Sequence, residues 1–143
     1  MKLDYSINLD TRELFLSSVD TGVPHAVLLT DVEFAPVEEL GRLIRSHKAF
    51  SPKGTNVDFV QAIDRENVRI RTYERGVEGE TYACGTGCVA AGVILREKGL
   101  VEDTVNIHTK GGETVRVYVG DEVYLEGSAR VIYEGTLWPE AVE

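Results

Sequence analysis

One short stretch carries residues able to do chemistry: Tyr82-Ala83-Cys84-Gly85-Thr86-Gly87-Cys88, followed by the small apolar run Val89 to Leu95. A thiol stands directly before two glycines that frame a threonine, and the run after them reads as a buried helix. The glycines leave the backbone open to close approach. The first N–H groups of a helix have no acceptor within it and carry the positive end of its dipole, so a carboxylate fits there. The same field favours thiolate over thiol at Cys84. Taken singly, a cysteine is often a small buried hydrophobe, and glycines before a helix often make only a turn. Together, with Glu74-Arg75-Gly76 just upstream, they mark a site that sets an activated sulfur beside an anion cradle.

Other chemistries fit the spacing poorly. Cys84 and Cys88 lie four apart on one presumed helix, a poor geometry for bridging each other. With His25 they lack a recognised metal-ligand spacing, and no further cysteine supplies a fourth ligand. The pair is not Cys-x-x-Cys, so a redox dithiol is not expected. His25 follows Pro24, where a lone histidine is more often hydrogen-bonded and structural. Asn56 opens a strand, where an amide commonly caps a turn. Glu74 and Arg75 are adjacent, and neighbours on a strand point to opposite faces. Both can face one site only if the backbone there is irregular.

The elements that must position these residues follow from periodicity. Tyr5 to Leu9 and Glu13 to Val19 read as strands joined by the Asp10-Thr11-Arg12 turn. His25 to Leu29 is a continuous apolar run and reads as a buried strand. Pro36 suits a helix start; Val37, Leu40, Leu43 and Ile44 then share one face. Asn56 to Ile63 and Val68 to Tyr73 form a hairpin across Asp64-Arg65-Glu66-Asn67. The glycine-rich helix is expected to stop at Gly99, and its nearly all-apolar surface requires sheet around it. Strands are expected at Thr104 to Thr109, Thr114 to Val119, Val123 to Glu126 and Ser128 to Glu134. The fold class expected is α+β: a mostly antiparallel sheet forming a partly closed barrel around a central buried helix.

The chain has 143 residues, 43% hydrophobic and 27% charged, with a net charge of −9. That length and composition predict one domain, residues 1–143, with a substantial core. The acidic balance argues against a nucleic-acid partner. No basic amphipathic stretch or long apolar run points to a membrane. Met1-Lys2-Leu3-Asp4 does not begin like a secretory signal, and two cysteines make no disulfide framework, so a reduced, cytoplasmic setting is expected.

Three separated motifs carry a resemblance. Tyr73-Glu74-Arg75-Gly76-Val77 with Gly79-Glu80-Thr81 and Ala83-Cys84-Gly85-Thr86-Gly87 resembles the second-half signature of diaminopimelate epimerase. Thr21-Gly22-Val23-Pro24-His25 and Thr55-Asn56-Val57-Asp58-Phe59-Val60 resemble two further motifs of that family, in the same order. The resemblance covers nearly the whole chain but only the carboxy-terminal half of the enzyme, whose two similar halves each present a cysteine to a shared cleft. It implies inversion of an amino-acid α-carbon without pyridoxal phosphate or any other cofactor, on the path to lysine.

By that resemblance, Cys84 is one of two proton-transfer thiols. Gly85 and Thr86 cradle the substrate carboxylate. Glu74 contacts the α-amino group and helps deprotonate Cys84. Arg75 pairs with a distal carboxylate through two parallel hydrogen bonds, and Asn56 adds a bond to that end. His25 lies near the cysteine of the other half and is idle without it. Val23 replaces a common asparagine, which removes one distal contact, and no second cysteine is placed to oppose Cys84. The partners implied are an amino-acid substrate and either the missing amino-terminal half or a second copy of this chain. The alternatives are a racemase of proline or hydroxyproline, which resembles this fold and uses the same glycine-rich turn, and a non-catalytic domain that self-associates.

Overall fold

The computed structural model describes residues 1–10 and 12–141. Thr11, the centre of the first expected turn, lies outside them. In order, the chain forms β1 (Lys2–Leu9), β2 (Arg12–Asp20), β3 (Pro24–Leu29), α1 (Val37–Arg45), β4 (Asn56–Ala62), β5 (Asn67–Glu74), β6 (Gly79–Thr81), α2 (Gly85–Glu97), β7 (Thr104–His108), β8 (Thr114–Val119) and β9 (Val123–Glu126). Short 3-10 turns occupy Lys48–Phe50 and Pro139–Ala141.

All strands belong to one sheet, ordered β1-β2-β3-β4-β5-β7-β8-β9. The short β6 pairs with the end of β5, and β7 pairs in parallel with its beginning. Six pairings are antiparallel, while β3 with β4 and β5 with β7 are parallel. Each parallel pair is joined by a connection that contains a helix, because a parallel partner cannot be reached through a tight turn.

The two helices lie on opposite faces. In β3, Val27 belongs to the core around α2, whereas Ala26 and Leu28 belong to the core around α1. In β4, Val60 faces α2, while Val57 and Phe59 face α1. Covered on both sides, β3 is apolar at consecutive positions rather than at alternate ones. Burial of a side chain such as Phe59, 1% exposed, stabilises the fold by about 1.5–3 kcal/mol.

Helix α2 is the hub of the larger core. Cys88, Ala90, Ala91, Ile94 and Leu95 are all fully buried, and the helix touches β2, β3, β4, β5, β7, β8 and β9. A Cβ on Gly92 would come within 2.9 Å of Val117 Cγ1, so small residues let the helix lie close against β8. The helix stops where expected: Gly99 takes φ +70, and its N–H donates to the Arg96 carbonyl.

Four expectations change. The sheet curls around α2 but does not close, since β1 and β9 remain its edges, so a barrel is not formed. Ser128 to Glu134 is not a strand; residues 127–138 have no regular structure and are exposed. Among the described residues, neither edge strand, β1 or β9, pairs with that segment. Leu43 is 48% exposed, because α1 is only nine residues long and presents Val37, Leu40, Gly41 and Ile44 to the sheet. Strand β6 is also new: three residues are too few to show a period.

Candidate active site

Cys84 occupies the position just before the first turn of α2, with extended backbone at φ −137 and ψ 106. The Cys88 N–H is the first to close a helical bond, to the Cys84 carbonyl at 2.9 Å. The amides of Gly85, Thr86 and Gly87 therefore head the helix, and Gly85 and Thr86 are exposed. A carboxylate can approach there. Thr21 on the loop after β2 donates its hydroxyl to the Thr86 carbonyl at 3.2 Å and ties that loop to the helix start.

The thiol does not follow the simple helix-dipole expectation. Burial is the largest influence on Cys84 and pushes its pKa up. Hydrogen bonding with Thr86 lowers it, the Asp58 charge raises it, the Gly87 amide lowers it and Glu74 raises it, and the net shift is upward. Desolvation and two nearby carboxylates outweigh the helix amides. Cys84 rests as the thiol. Cys88, fully buried, is pushed up to about 12, first by burial, and is an inert core residue.

Strand alternation decides where Glu74 points. Thr72 turns toward α2 and Tyr73 toward α1, so Glu74, two beyond Thr72, shares the face of Cys84. The strand ends at Glu74, and residues 75–78 form a turn with Gly76 at φ +98. That is the irregular backbone the adjacent pair requires. Arg75 leaves the strand and reaches the Lys53 carbonyl at 3.3 Å.

Asn56 opens β4. It is 5% exposed; its Oδ1 accepts the Arg75 N–H at 2.8 Å and its Nδ2 donates to the Pro24 carbonyl at 3.2 Å. Both ends of the amide hold backbone, so Asn56 places the Arg75 turn against the Pro24-His25 segment.

His25 is not idle. Its side chain is fully buried, with Nδ1 2.7 Å from Asp58 Oδ2 and Nε2 2.9 Å from Thr86 Oγ1. Thr86 Oγ1 in turn lies 3.5 Å from Cys84 Sγ, and Asp58 Oδ1 accepts the Thr72 hydroxyl at 2.7 Å. Asp58 is the buried acid of this network that sequence reasoning did not single out. Its signal was present: an acid placed among Val57, Phe59 and Val60 in a strand buried on both faces demands a partner.

Glu80 of the glycine-glutamate-threonine motif serves the scaffold. It accepts from Arg71 at 2.6 and 2.9 Å and from Lys110 at 2.8 Å, which pins β6 beside β5 below the Arg75 turn. Burial raises its pKa, but Arg71 and Lys110 outweigh that and leave it below the usual carboxylate range.

Two neighbouring cavities share Asp20, Pro24 and Phe50. One, about 280 Å³, reaches His25, and the other, about 330 Å³, reaches Lys53 and Arg75. Among the described residues, Cys84 lines neither. The sulfur and the guanidinium are thus held on one scaffold without being closed into one chamber. Among the described residues, no group of three or more His, Cys, Asp or Glu side chains could hold a metal ion, and no helix is long and apolar enough to cross a membrane.

Solved structures share this architecture. A probable proline racemase from Agrobacterium radiobacter superposes with a TM-score of 0.60 at 20% identity, over 82% of this chain and 41% of the other. A hydroxyproline epimerase from Agrobacterium vitis superposes with 0.57 at 20% identity, over 87% and 44%. At that identity the likeness is one of fold alone. Sequence carries the assignment further. The family model for diaminopimelate epimerase matches residues 17–132. The diaminopimelate epimerase of Aquifex aeolicus is 44% identical over 96% of this chain and 51% of its own length. That of a Hydrogenobaculum species is 48% identical over 83% and 45%. The chain belongs to the diaminopimelate epimerase family, and it spans about half the length of the curated relatives it matches.

Proposed function

We propose that this domain, residues 1–143, supplies one half of a cofactor-independent amino-acid epimerase that interconverts LL- and meso-diaminopimelate. The observation that carries the reading is the placement of Cys84 Sγ at the start of α2, beside the exposed amides of Gly85 and Thr86, in a chain of this family.

Inverting an α-carbon is difficult because its proton is weakly acidic and the developing carbanion lies beside a carboxylate. Helix amides that receive the carboxylate also stabilise the negative charge that grows on it. Two groups must then act on opposite faces of the carbon, one removing a proton while the other delivers one. Cys84 is one of them. Glu74, on the same face, receives the α-ammonium group and draws the thiol proton away. Arg75 grips the distal carboxylate, and Asn56 acts there by holding the Arg75 turn. His25 belongs to the Cys84 side through Thr86 and lies at the end of the site where the other half brings its own thiol. Arg75 also argues for a substrate with a second acid group, against proline or hydroxyproline. Val23 widens the range of distal groups admitted.

The opposing thiol must come from elsewhere, because Cys88 is buried in the core and lies one turn along the same helix. An amino-terminal half or a second copy would also cover Val131, Ile132, Tyr133, Leu137 and Trp138, each at least 75% exposed. The two free cysteines fit a reduced, cytoplasmic setting. The test is turnover of LL-diaminopimelate by the 143-residue chain, alone and mixed with the amino-terminal half of a relative. Inversion is expected only in the mixture and is lost with Cys84→Ala. Inversion by the chain alone at the rate of a complete enzyme would overturn the reading.

A further inference from the structure

Arg75 opens the turn over residues 75–78, and α1 holds that turn in place. Within it Glu78 takes φ +61, a left-handed conformation that few residues other than glycine adopt. Backbone of that kind persists only where its surroundings over-determine it. The Glu78 carboxylate supplies the hold. Its Oε1 accepts the Gly76 N–H at 3.1 Å and the Nε–H of Arg45, the last residue of α1, at 2.8 Å. The Gly76 amide first, and then Arg45, draw the Glu78 pKa below the usual carboxylate range.

Arg45 also holds the segment on the other side of Arg75. Its carbonyl accepts the Thr55 N–H at 3.2 Å. Gly54 takes φ +71, and a Cβ there would stand 2.5 Å from the same carbonyl and against the guanidinium. The Lys53-Gly54 segment is thus laid directly on Arg45, and the Lys53 carbonyl accepts from Arg75 Nη1 at 3.3 Å. One residue therefore ties together the two loops between which Arg75 hangs. Lys53, Gly54 and Arg75 line the cavity of about 330 Å³; among the described residues, Arg45 and Glu78 do not.

We propose that Arg45 and Glu78 are positioning residues for the distal end of the site: as a clamp joining α1, the 75–78 turn and the Lys53-Gly54 segment, they set where the Arg75 guanidinium points and so favour a substrate with a second acid group. The clamp rests on the reading of Arg75 as the group that grips a distal carboxylate. A guanidinium meets a carboxylate through a planar fork, so its direction counts as much as its charge. On a mobile turn Arg75 would keep the charge and lose the direction, and ordering it on binding would cost affinity. Asn56 fixes the first amide of the turn, accepting the Arg75 N–H at 2.8 Å. Glu78 fixes the second, at Gly76. Glycine at 78 would relieve the backbone, but it would leave Arg45 and the Gly76 amide without their shared acceptor.

No substrate is needed to read the clamp. In the 143-residue chain the Nε–Hε signal of Arg75 is followed by nitrogen-15 relaxation in mildly acidic buffer, where Glu78 is still ionised. Arg71, bonded to Glu80, is the internal control. Arg75 is expected to be ordered in the parent and mobile in Glu78→Gly and Arg45→Ala, with Arg71 unchanged throughout. Glycine suits φ +61, so Glu78→Gly should keep or raise the thermal midpoint: the arginine loosens while the fold does not. Glu78→Gln keeps an oxygen for Gly76 and Arg45 and should restore the order. If Arg45→Ala does not fold, the two Glu78 variants decide. In the turnover mixture with an amino-terminal half, Glu78→Gly should raise KM by about tenfold with kcat unchanged, the mark of lost binding rather than lost chemistry. An Arg75 as ordered in Glu78→Gly as in the parent, or a KM that stays put while Arg75 loosens, overturns the clamp. An inactive parent mixture counts against the epimerase reading alone, and the relaxation data still decide whether Arg45 and Glu78 aim Arg75.

Discussion

The Cβ that Gly87 lacks would stand 2.5 Å from Oδ1 of Asp58. The second glycine of the cysteine-glycine-threonine-glycine turn is therefore there for the carboxylate of a neighbouring strand. Without a side chain at 87, the first turn of α2 settles directly over Asp58, and Asp58 reaches His25 and Thr72 at once.

Gly87→Ala is accordingly expected to disturb more than the helix. Alanine raises helix propensity by about 1 kcal/mol, but here it forces Asp58 aside in a closely packed interior. Overpacking of that kind costs about 1–3 kcal/mol, so the variant should be less stable despite the better helix former. Urea denaturation measures the sign; a stabilised variant would show that Asp58 moves freely.

Asn56→Ala strips two part-buried backbone groups of their partners, the Arg75 N–H and the Pro24 carbonyl. Each unsatisfied group costs about 1–3 kcal/mol, and loss of that order is expected in chemical denaturation. Asn56→Asp keeps an acceptor for Arg75 and loses only the donor to Pro24, so it should fall between the parent and the alanine variant.

Alkaline stability should report the buried thiol. Cys88 has a folded pKa of about 12, above that of an unfolded cysteine near 8.5. Below the unfolded value both states hold the proton and the group is silent. As pH rises beyond it, the unfolded chain gives up the proton first, so stability falls until the folded value is reached. The slope from this one group approaches about 1.4 kcal/mol per pH unit. Cys88→Ala should be less stable at neutral pH and flatter across that window, which denaturation at a series of alkaline pH values would show.

The exposed apolar tail predicts concentration-dependent association. Removing residues 128–143 leaves β9 and its contact with Gly85 intact, so the thermal midpoint should hold. Light scattering should show the full chain associating and the shortened one monomeric. Equal masses for both at high concentration would assign association to another surface or to none.

Much of the fold was legible because its cause is local. The apolar run of β3, the Asp64 to Asn67 hairpin and the Gly99 stop each depend on a few adjacent residues whose backbone preferences agree. The glycine-rich turn before α2 was legible for the same reason. The failures have the opposite cause. Leu43 and the strand expected at Ser128 to Glu134 carried the right local pattern, yet burial and pairing depend on distant partners, and among the described residues neither found one.

By itself, then, the sequence determined that a thiol stands at the head of an apolar helix and that an acid and a guanidinium follow one another at a strand end, since these are facts of order along the chain. Only the tertiary structure decided which groups meet. Asp58 and His25 lie 33 residues apart, and His25 and Thr86 lie 61 apart; parallel pairing of β3 with β4 and the seating of α2 on both bring them within hydrogen-bond reach. The same packing reversed the expectation for Cys84, because burial and neighbouring charge act through space, and space is set by the fold.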